Sequence, residues 1–375
     1  MVDSSRRSFL IGTGLTSAST AILPATACAS CKAILRSQAN AATTAATPTG
    51  EQHASRDLPL VTPPDLQPSI DRERANIRET LAKGGIPAVA VCLVHDGKPA
   101  WIEGFGVTDR KSRRPVSERT IFSIQSTSKN FTATAIMLAV QRGLLHLDEP
   151  ITTYLPDFSV QSRFESLPAR QMTLRLLLSH RAGFTHEAPV GNNYDPSFPD
   201  FETHVQSLSR TWLRFPVGER YRYSNLGIDL AGYILQTVSK KPFAECLQTY
   251  IFDPLGMTDS TVATDVYPRR VDRAVGHAKG YAAVPLKTPL IPSGGVYTSA
   301  RDMAAYLTFH LNKGGFAGKS RSRRRDSDVP LLSITGGRSR PHRVLQRRIQ
   351  SRLQRRAARR ARPRQTRLGC ISWRL

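Results

Sequence analysis

Ser126 and Lys129 stand three residues apart at the head of an apolar run that extends from Thr127 to about Arg142. Positions i and i+3 of a helix share a face, so the Ser126 hydroxyl and the Lys129 amine can meet. A serine hydroxyl is a weak nucleophile at its own pKa and needs an adjacent base. The N-terminal end of a helix carries partial positive charge, which disfavours the ammonium form of Lys129 and favours an oxyanion near Ser126. Both effects serve acyl transfer. Ser-x-x-Lys is a weak signal alone, arising about once by chance in a chain of this length, and on its own it reads as a helix cap with a solvated lysine. Tyr223-Ser224-Asn225, placed after Pro216-Val217-Gly218-Glu219-Arg220 and before a helix, adds to it. Tyr223 there can act as a general base, its phenolate stabilised by Lys129. Asn225 can hold Lys129 or a substrate amide.

The elements that must position these groups follow from pattern. Asp71 to Lys83 reads as a charged helix with Ile77 and Leu81 as its apolar points, ended by Gly84-Gly85-Ile86-Pro87. Val89–His95 and Ala100–Val107 are apolar runs around Asp96-Gly97, a hairpin signal. Thr120–Ile124 precedes the Thr127 helix, whose dense apolar residues make it central and buried. Further helices are expected at Leu174–Ser179, Ile228–Val238, Phe243–Ile251 and Ala300–Asn312, the last capped by Ser299 and stopped by Gly314-Gly315. Residues 187–201 read as a long loop and a pocket wall, and Ser293-Gly294-Gly295-Val296 as a tight turn. Strands come first and helices after, so the sheet needs further strands from the C-terminal side.

The formal net charge of +24 would suggest an anionic partner, but it is unevenly spread. Residues 319–375 hold 19 of the 53 basic residues and 2 of the 29 acids, which leaves 34 basic and 27 acidic residues in the body, a net of +7. The body therefore needs no nucleic-acid reading. Of five cysteines only Cys92 and Cys246 lie in the body, where both read as buried small hydrophobes. Cys28 and Cys31 have redox-motif spacing without the strand-to-helix context that would support it. The histidines show no metal-ligand spacing, and neither a metal nor a cofactor is expected.

Ser5-Arg6-Arg7-Ser8-Phe9-Leu10, followed by an apolar and small-residue run to Ala27, matches a bacterial twin-arginine export signal. Residues 1–27 are therefore expected to be a signal peptide. Ala25-Thr26-Ala27 is a small-x-small cleavage site, and a cut there would leave Cys28 first, open to lipid attachment. Residues 28–68, rich in Ala, Thr, Pro and Ser, read as a disordered linker. The expected location is periplasmic or secreted, with the export machinery as the one protein partner and a monomer as the expected state.

Six ordered blocks then resemble the beta-lactamase-related serine hydrolases, the group of class C beta-lactamases, D-Ala-D-Ala carboxypeptidases and related esterases. They are Phe122–Lys129, Gly143–Ile151, Leu177–Phe184, Tyr223–Gly227, Phe252–Met257 and Pro292–Val296. The resemblance implies an α/β fold of the α+β sandwich kind: an antiparallel sheet from both chain ends, flanked by helices, beside an all-helical lobe. It also implies Ser126 as the acylated nucleophile, Lys129 as its activator, Tyr223 as general base and Asn225 as a substrate-orienting group. Gln125, next to the nucleophile, joins Asn225 as a candidate substrate contact. The substrate class is a small molecule or peptide with an amide or ester, among which beta-lactam, D-Ala-D-Ala peptide and carboxylic ester stay open.

The hydrolase domain is expected over 69–318, truncated. The family's third motif, a Lys or His, a small residue and Gly on a late strand, should follow residue 318. Ser320–Arg325 instead carries four arginines in six positions, and Ile334-Thr335-Gly336-Gly337 lacks the charge. Two explanations compete for the Arg-rich tail of 319–375. A shifted reading frame gives such a composition in a GC-rich gene. A genuine tail, with Val344, Leu345, Ile349 and Leu353 among arginines, would make a basic amphipathic helix for anionic polymers or lipid. The abrupt change and the export signal favour the first. Without its last strands the sheet would be open, and the chain as it stands is expected to be unstable and nearly inactive. A catalytically dead penicillin-fold binding protein is the alternative reading.

Overall fold

The computed structural model describes residues 59–84, 86–191, 197, 199–262, 266–276, 290–314 and 368–374. The expected signal peptide 1–27, Cys28 and Cys31, the expected linker up to residue 58, Asn192, Asn193, Tyr194 and residues 315–367, which include most of the Arg-rich tail, lie outside the described residues.

Helix α1 (Gln67–Gly84) leads into the hairpin β1 (Ala88–His95) and β2 (Lys98–Gly106). The turn is Asp96-Gly97 as its sequence predicts: both residues take positive φ, 49° and 71°, the geometry a tight hairpin demands. The strands pair antiparallel from Ala88 opposite Gly106 to His95 opposite Lys98. A side chain points to alternate faces along a strand, and β1 uses both. Val89, Val91 and Leu93 join Leu66, Ile70, Trp101 and Phe105 in a small core that Ile77 and Leu81 of α1 cover. Ala88, Ala90, Cys92 and Val94 face the main core. Residues 59–66, read from sequence as linker, run beside β2. Val61 N donates to Pro99 O at 2.9 Å and Thr62 Oγ1 to Ala100 O at 2.7 Å, because Leu66 is the apolar end-piece of the small core.

On its other edge β1 pairs antiparallel with β5 (Leu368–Arg374), from Val89 opposite Arg374 to His95 opposite Leu368. The sheet order is β2-β1-β5. The sequence reading placed no strand after 318, since the mostly apolar Leu368–Arg374 ends an Arg-rich tail read as out of frame. The backbone there nonetheless satisfies the second edge of β1.

Helix α2 (Ser128–Gln141) crosses the middle of the molecule, with Phe131, Ala135, Ile136 and Ala139 buried. Phe131 stacks on Tyr306 at 4.0 Å between ring centroids and meets Phe252 edge-on at 6.0 Å. Around it lie α3 (Leu174–Leu178), α4 (Phe201–Gln206), α5 (Asn225–Ser239), α6 (Phe243–Leu247), the single turn α7 (Ile291–Gly294) and α8 (Ala300–Leu311). Three differences from expectation have local causes. The helix at 243 continues through a π turn at Gln248–Phe252 before its last turn. The tight turn at 293 is a helical turn begun by Pro292, a residue preset for a first turn. Helix α4, within the stretch next to the expected loop, is capped by Asp200, whose side chain accepts from Thr203 N. Ser299 caps α8 as its sequence predicts, accepting from Asp302 N.

Two short strands bring the distant parts together. β3 (Phe122–Ser123) pairs with β4 (Tyr297–Thr298), and Ile124 N donates to Val296 O at 3.1 Å. The chain entering α2 is thereby pinned to the chain leaving α7. Gly232 of α5 makes the closest approach. A Cβ there would sit 2.4 Å from Pro292 Cγ, so only glycine lets α7 lie this near to α5.

Candidate active site

Gln125–Thr127 form one 3-10 turn and α2 follows, so Ser126 sits just before the helix while Lys129 is in its first turn. Gln125 holds φ at 46°, a left-handed value that is strained for a non-glycine residue. Gln125 and Ser126 are both exposed. Gln125 Nε2 donates to Ser123 Oγ at 2.8 Å. Lys129 is almost wholly buried beneath them.

The structure brings the sequence candidates Ser126, Lys129 and Tyr223 to one point. Lys129 Nζ is 3.0 Å from Ser126 Oγ, and the Tyr223 hydroxyl donates to the same oxygen at 2.8 Å. Lys129 Nζ also lies 4.9 Å over the Tyr223 ring and donates to the backbone carbonyl of Ser293 at 2.7 Å. Burial pulls the Lys129 amine down to about 8, against the carboxylates of Asp229 and Glu187, which favour the ammonium. Burial pushes the Tyr223 phenol up, and the bond to Ser126 offsets only part of this.

Tyr223 is fixed by the chain from His180 to His186, the end of the Leu177–Phe184 block and the two residues after it. Arg222 N donates to His180 O at 2.8 Å, Ser224 Oγ to Thr185 O at 2.6 Å and Asn225 N to His186 O at 3.1 Å. His180, itself left-handed with φ 60°, accepts from Ser224 N at Nδ1 over 3.3 Å. Its ring lies 4.8 Å from that of Tyr223, and the His186 ring lies 5.5 Å from it. Burial and the nearby Lys129 charge hold His180 down at about 4, so it is a neutral wall at ordinary pH.

Asn225 opens α5 rather than preceding it. Its Nδ2 donates to Glu187 Oε1 at 2.8 Å, and its Oδ1 is buried with no hydrogen-bond partner among the described residues. Asn225 thus engages Glu187, and no bond to Lys129 joins it. Glu187 also contacts His186 Nδ1 at 2.9 Å, and burial raises its carboxyl. A groove of about 500 Å³ beside α1 and β2, near Arg74 and Trp101, is lined by none of these residues.

Sequence reasoning missed His180, Glu187, His204 and Asp229. His180 stood in a recognised block without a role. Asp229 was the detectable one: a lone carboxylate inside the apolar stretch Leu226–Leu235 is costly unless paired.

An exposed serine on a tight turn, touched by a buried lysine and a tyrosine, between an antiparallel sheet and a helical layer, defines a serine-nucleophile hydrolase fold. A Beta-lactamase family model matches residues 74–370, and the chain belongs to the beta-lactamase-related serine hydrolase family. Protein flp of Staphylococcus aureus (strain COL) is 26% identical over 252 residues, covering 66% of this chain and 49% of its own length. A beta-lactamase of Yersinia enterocolitica is 29% identical over 240 residues, covering 62% of this chain and 57% of its own. The chain thus spans about half the length of the curated relatives it matches. Among solved structures, an octameric penicillin-binding protein homologue from Pyrococcus abyssi aligns with TM-score 0.57 and 27% identity, over 66% of this chain and 57% of that one. D-alanine carboxypeptidase AmpC from Burkholderia cenocepacia aligns with TM-score 0.53 and 27% identity, over 65% and 64%.

Proposed function

We propose that this chain is a hydrolase that opens an ester or amide carbonyl through an acyl-enzyme on Ser126. The observation that carries the proposal is the convergence of Lys129 Nζ at 3.0 Å and the Tyr223 hydroxyl at 2.8 Å on Ser126 Oγ. The opposite directions of the two shifts support Lys129, rather than a Tyr223 phenolate, as the proton acceptor. Ser126 Oγ bonds to the carbonyl carbon, the carbonyl electron pair moves to its oxygen, and the Ser126 proton passes to the neutral Lys129 amine. On collapse the leaving alkoxide or amine takes a proton from the Tyr223 hydroxyl, and the proton on Lys129 makes good that loss. Water then cleaves the ester and frees Ser126. Asn225 and Gln125 are the substrate-facing candidates, both close to the nucleophile in sequence or space. The relatives' names point to beta-lactams or D-alanine peptides as the first substrates to try. Export to the periplasm or beyond belongs to the same reading, on the Ser5–Leu10 pattern, and cell fractionation of the full chain checks it.

The test is acylation by a chromogenic ester and a chromogenic cephalosporin, read as a burst and as a mass increment on Ser126. With β5 paired on the second edge of β1 and Lys129 and Tyr223 at Ser126, wild-type protein should show both, against the near-inactivity expected from sequence, and Ser126→Ala neither. A burst that persists in Ser126→Ala moves the nucleophile elsewhere and removes this reading, and no burst in a folded wild-type chain removes it in favour of a catalytically dead binding protein.

A further inference from the structure

Behind Lys129 lies a buried ionisable pair that the acyl-transfer reading does not use. His204 of α4 and Asp229 of α5 are both wholly excluded from solvent. His204 Nε2 lies 3.2 Å from Asp229 Oδ2, and its Nδ1 lies 2.9 Å from the backbone carbonyl of Val190. Both ring nitrogens therefore face oxygen acceptors, the arrangement that suits a ring carrying two protons. Burial works against that charge, but the bond to Asp229, the Asp229 and Glu187 charges and the Val190 carbonyl outweigh it and hold His204 above its ordinary value.

Asp229 turns its carboxylate to Ser293 on α7. Oδ1 accepts from Ser293 N at 2.9 Å and Oδ2 from Ser293 Oγ at 3.1 Å. The other end of the same peptide is held by α2, where Thr132 Oγ1 donates to Pro292 O at 2.6 Å. The next carbonyl, that of Ser293, is the one that receives Lys129 Nζ. The chain of contacts runs from His204 through Asp229, Ser293 and Lys129 to Ser126, with every member except Ser126 buried.

We propose that Asp229, anchored by His204, is a positioning residue: it fixes the Ser293 carbonyl that aims Lys129 at Ser126, and its charge sets how readily Lys129 gives up its proton. The inference rests on the acyl-transfer reading for its consequence in rate, though not for its effect on Lys129 itself. The charged and titratable groups that face this centre are Lys129 and Ser126 from α2 and its turn, Tyr223, His180, His186 and Glu187 from the surrounding loops, and His204 from α4. Of the carboxylates, Asp229 and Glu187 both favour the Lys129 ammonium, Asp229 the more strongly. Removing the Asp229 charge should therefore release the Lys129 proton at lower pH.

The experiment compares full-length wild type, Asp229→Asn and Asp229→Ala, with Asp302→Asn as a control for loss of a buried carboxylate away from the site. Lysine labelled with carbon-13 at Cε reports the titration of Lys129 by NMR without any need for activity. Acylation by p-nitrophenyl acetate reports rate against pH. Asp229→Asn keeps an acceptor for Ser293 N, so its Lys129 midpoint and the acid limb of its rate should both move to lower pH by about one unit, with the plateau kept within a few-fold. Asp229→Ala also frees the Ser293 peptide and should lower the plateau by roughly ten- to a hundred-fold. Asp302→Asn should change neither readout. If the Asn variant is folded and its Lys129 titrates as in wild type, the proposal is wrong. Rate losses in the Asp229 variants that merely match their own loss of folded protein, measured by circular dichroism on the same samples, would overturn it equally. A wild type that never acylates would remove the proposed function, and the NMR titration would still decide the role of Asp229.

Discussion

Two buried carboxylates, Asp229 and Asp302, show how the same group serves different ends. Asp229 is met by an imidazole and by two donors of Ser293. Asp302, on α8, accepts from Asp259 N at 2.8 Å and from Ser260 Oγ at 2.7 Å, but its neighbouring charge is another carboxylate. Burial, and then the Asp259 charge, push its carboxyl up to about 7. Asp259 in turn takes Arg119 Nη2 at 2.7 Å and Ser299 Oγ at 3.0 Å. The first carboxylate faces an imidazole whose pKa it holds above the ordinary value, and it reaches Lys129 through Ser293. The second shares its surroundings with a like charge and ties the 259–260 loop to α8. The two are buried alike, so it is the local charge and the hydrogen-bond partners that set them apart.

That comparison can be broken most severely at Lys129. Replacing Lys129 with Met removes the proton acceptor but fills the same space, so acylation should fall by about a thousand-fold or more while thermal unfolding shows no loss. In the unaltered chain the rate of acylation should rise with pH through about 8, the limb set by the lowered Lys129 amine. A limb near 10 or above would instead return the proton to Tyr223, as the sequence alone suggested. The sign for stability is fixed too. The folded lysine gives up its proton more readily than the unfolded one, so its burial penalises the fold below about 8 and less as pH rises.

A smaller effect is expected at Asp302, and it concerns stability alone. Its folded value lies above that of a free carboxyl, so the stability it contributes is complete at low pH and is lost as pH rises from about 4 to about 7. Asp302→Asn should be insensitive to this change. The unfolding free energy of the variant relative to wild type should climb over that window, by up to about 4 kcal/mol if the whole shift is expressed. Urea unfolding at several pH values measures it, and a flat difference would show that Asp302 is charged in the fold at neutral pH.

The legible part of the molecule was the part written locally. Asp96-Gly97, Ser299 and the spacing of Ser126 and Lys129 each carry their geometry within four residues. The hairpin, the α8 cap and the serine–lysine contact follow from them. Tyr223 was singled out from its place before a helix, and the resemblance then strengthened its link to Ser126, 97 residues away with no periodicity between them. The His204–Asp229–Ser293 chain had no such aid: its members lie on three helices, and although Asp229 stands out in its apolar segment, nothing local names His204 and Ser293 as its partners. The two-residue strands β3 and β4 are too short for alternation to register. β5 was hidden by the Arg-rich stretch before it, and its pairing with β1 is what reveals the strand.

Gln125 has one further consequence, for anyone who would diversify this cleft. A residue directly before Ser126 that must adopt a left-handed backbone is selected twice, by torsion and by whatever its side chain touches. Glycine, asparagine and aspartate meet the torsional demand at little cost, whereas a β-branched residue would resist it by roughly 1–2 kcal/mol. A combinatorial library at position 125 is therefore filtered by backbone geometry before any substrate is offered. Its survivors should be sorted for folded yield first and for selectivity second.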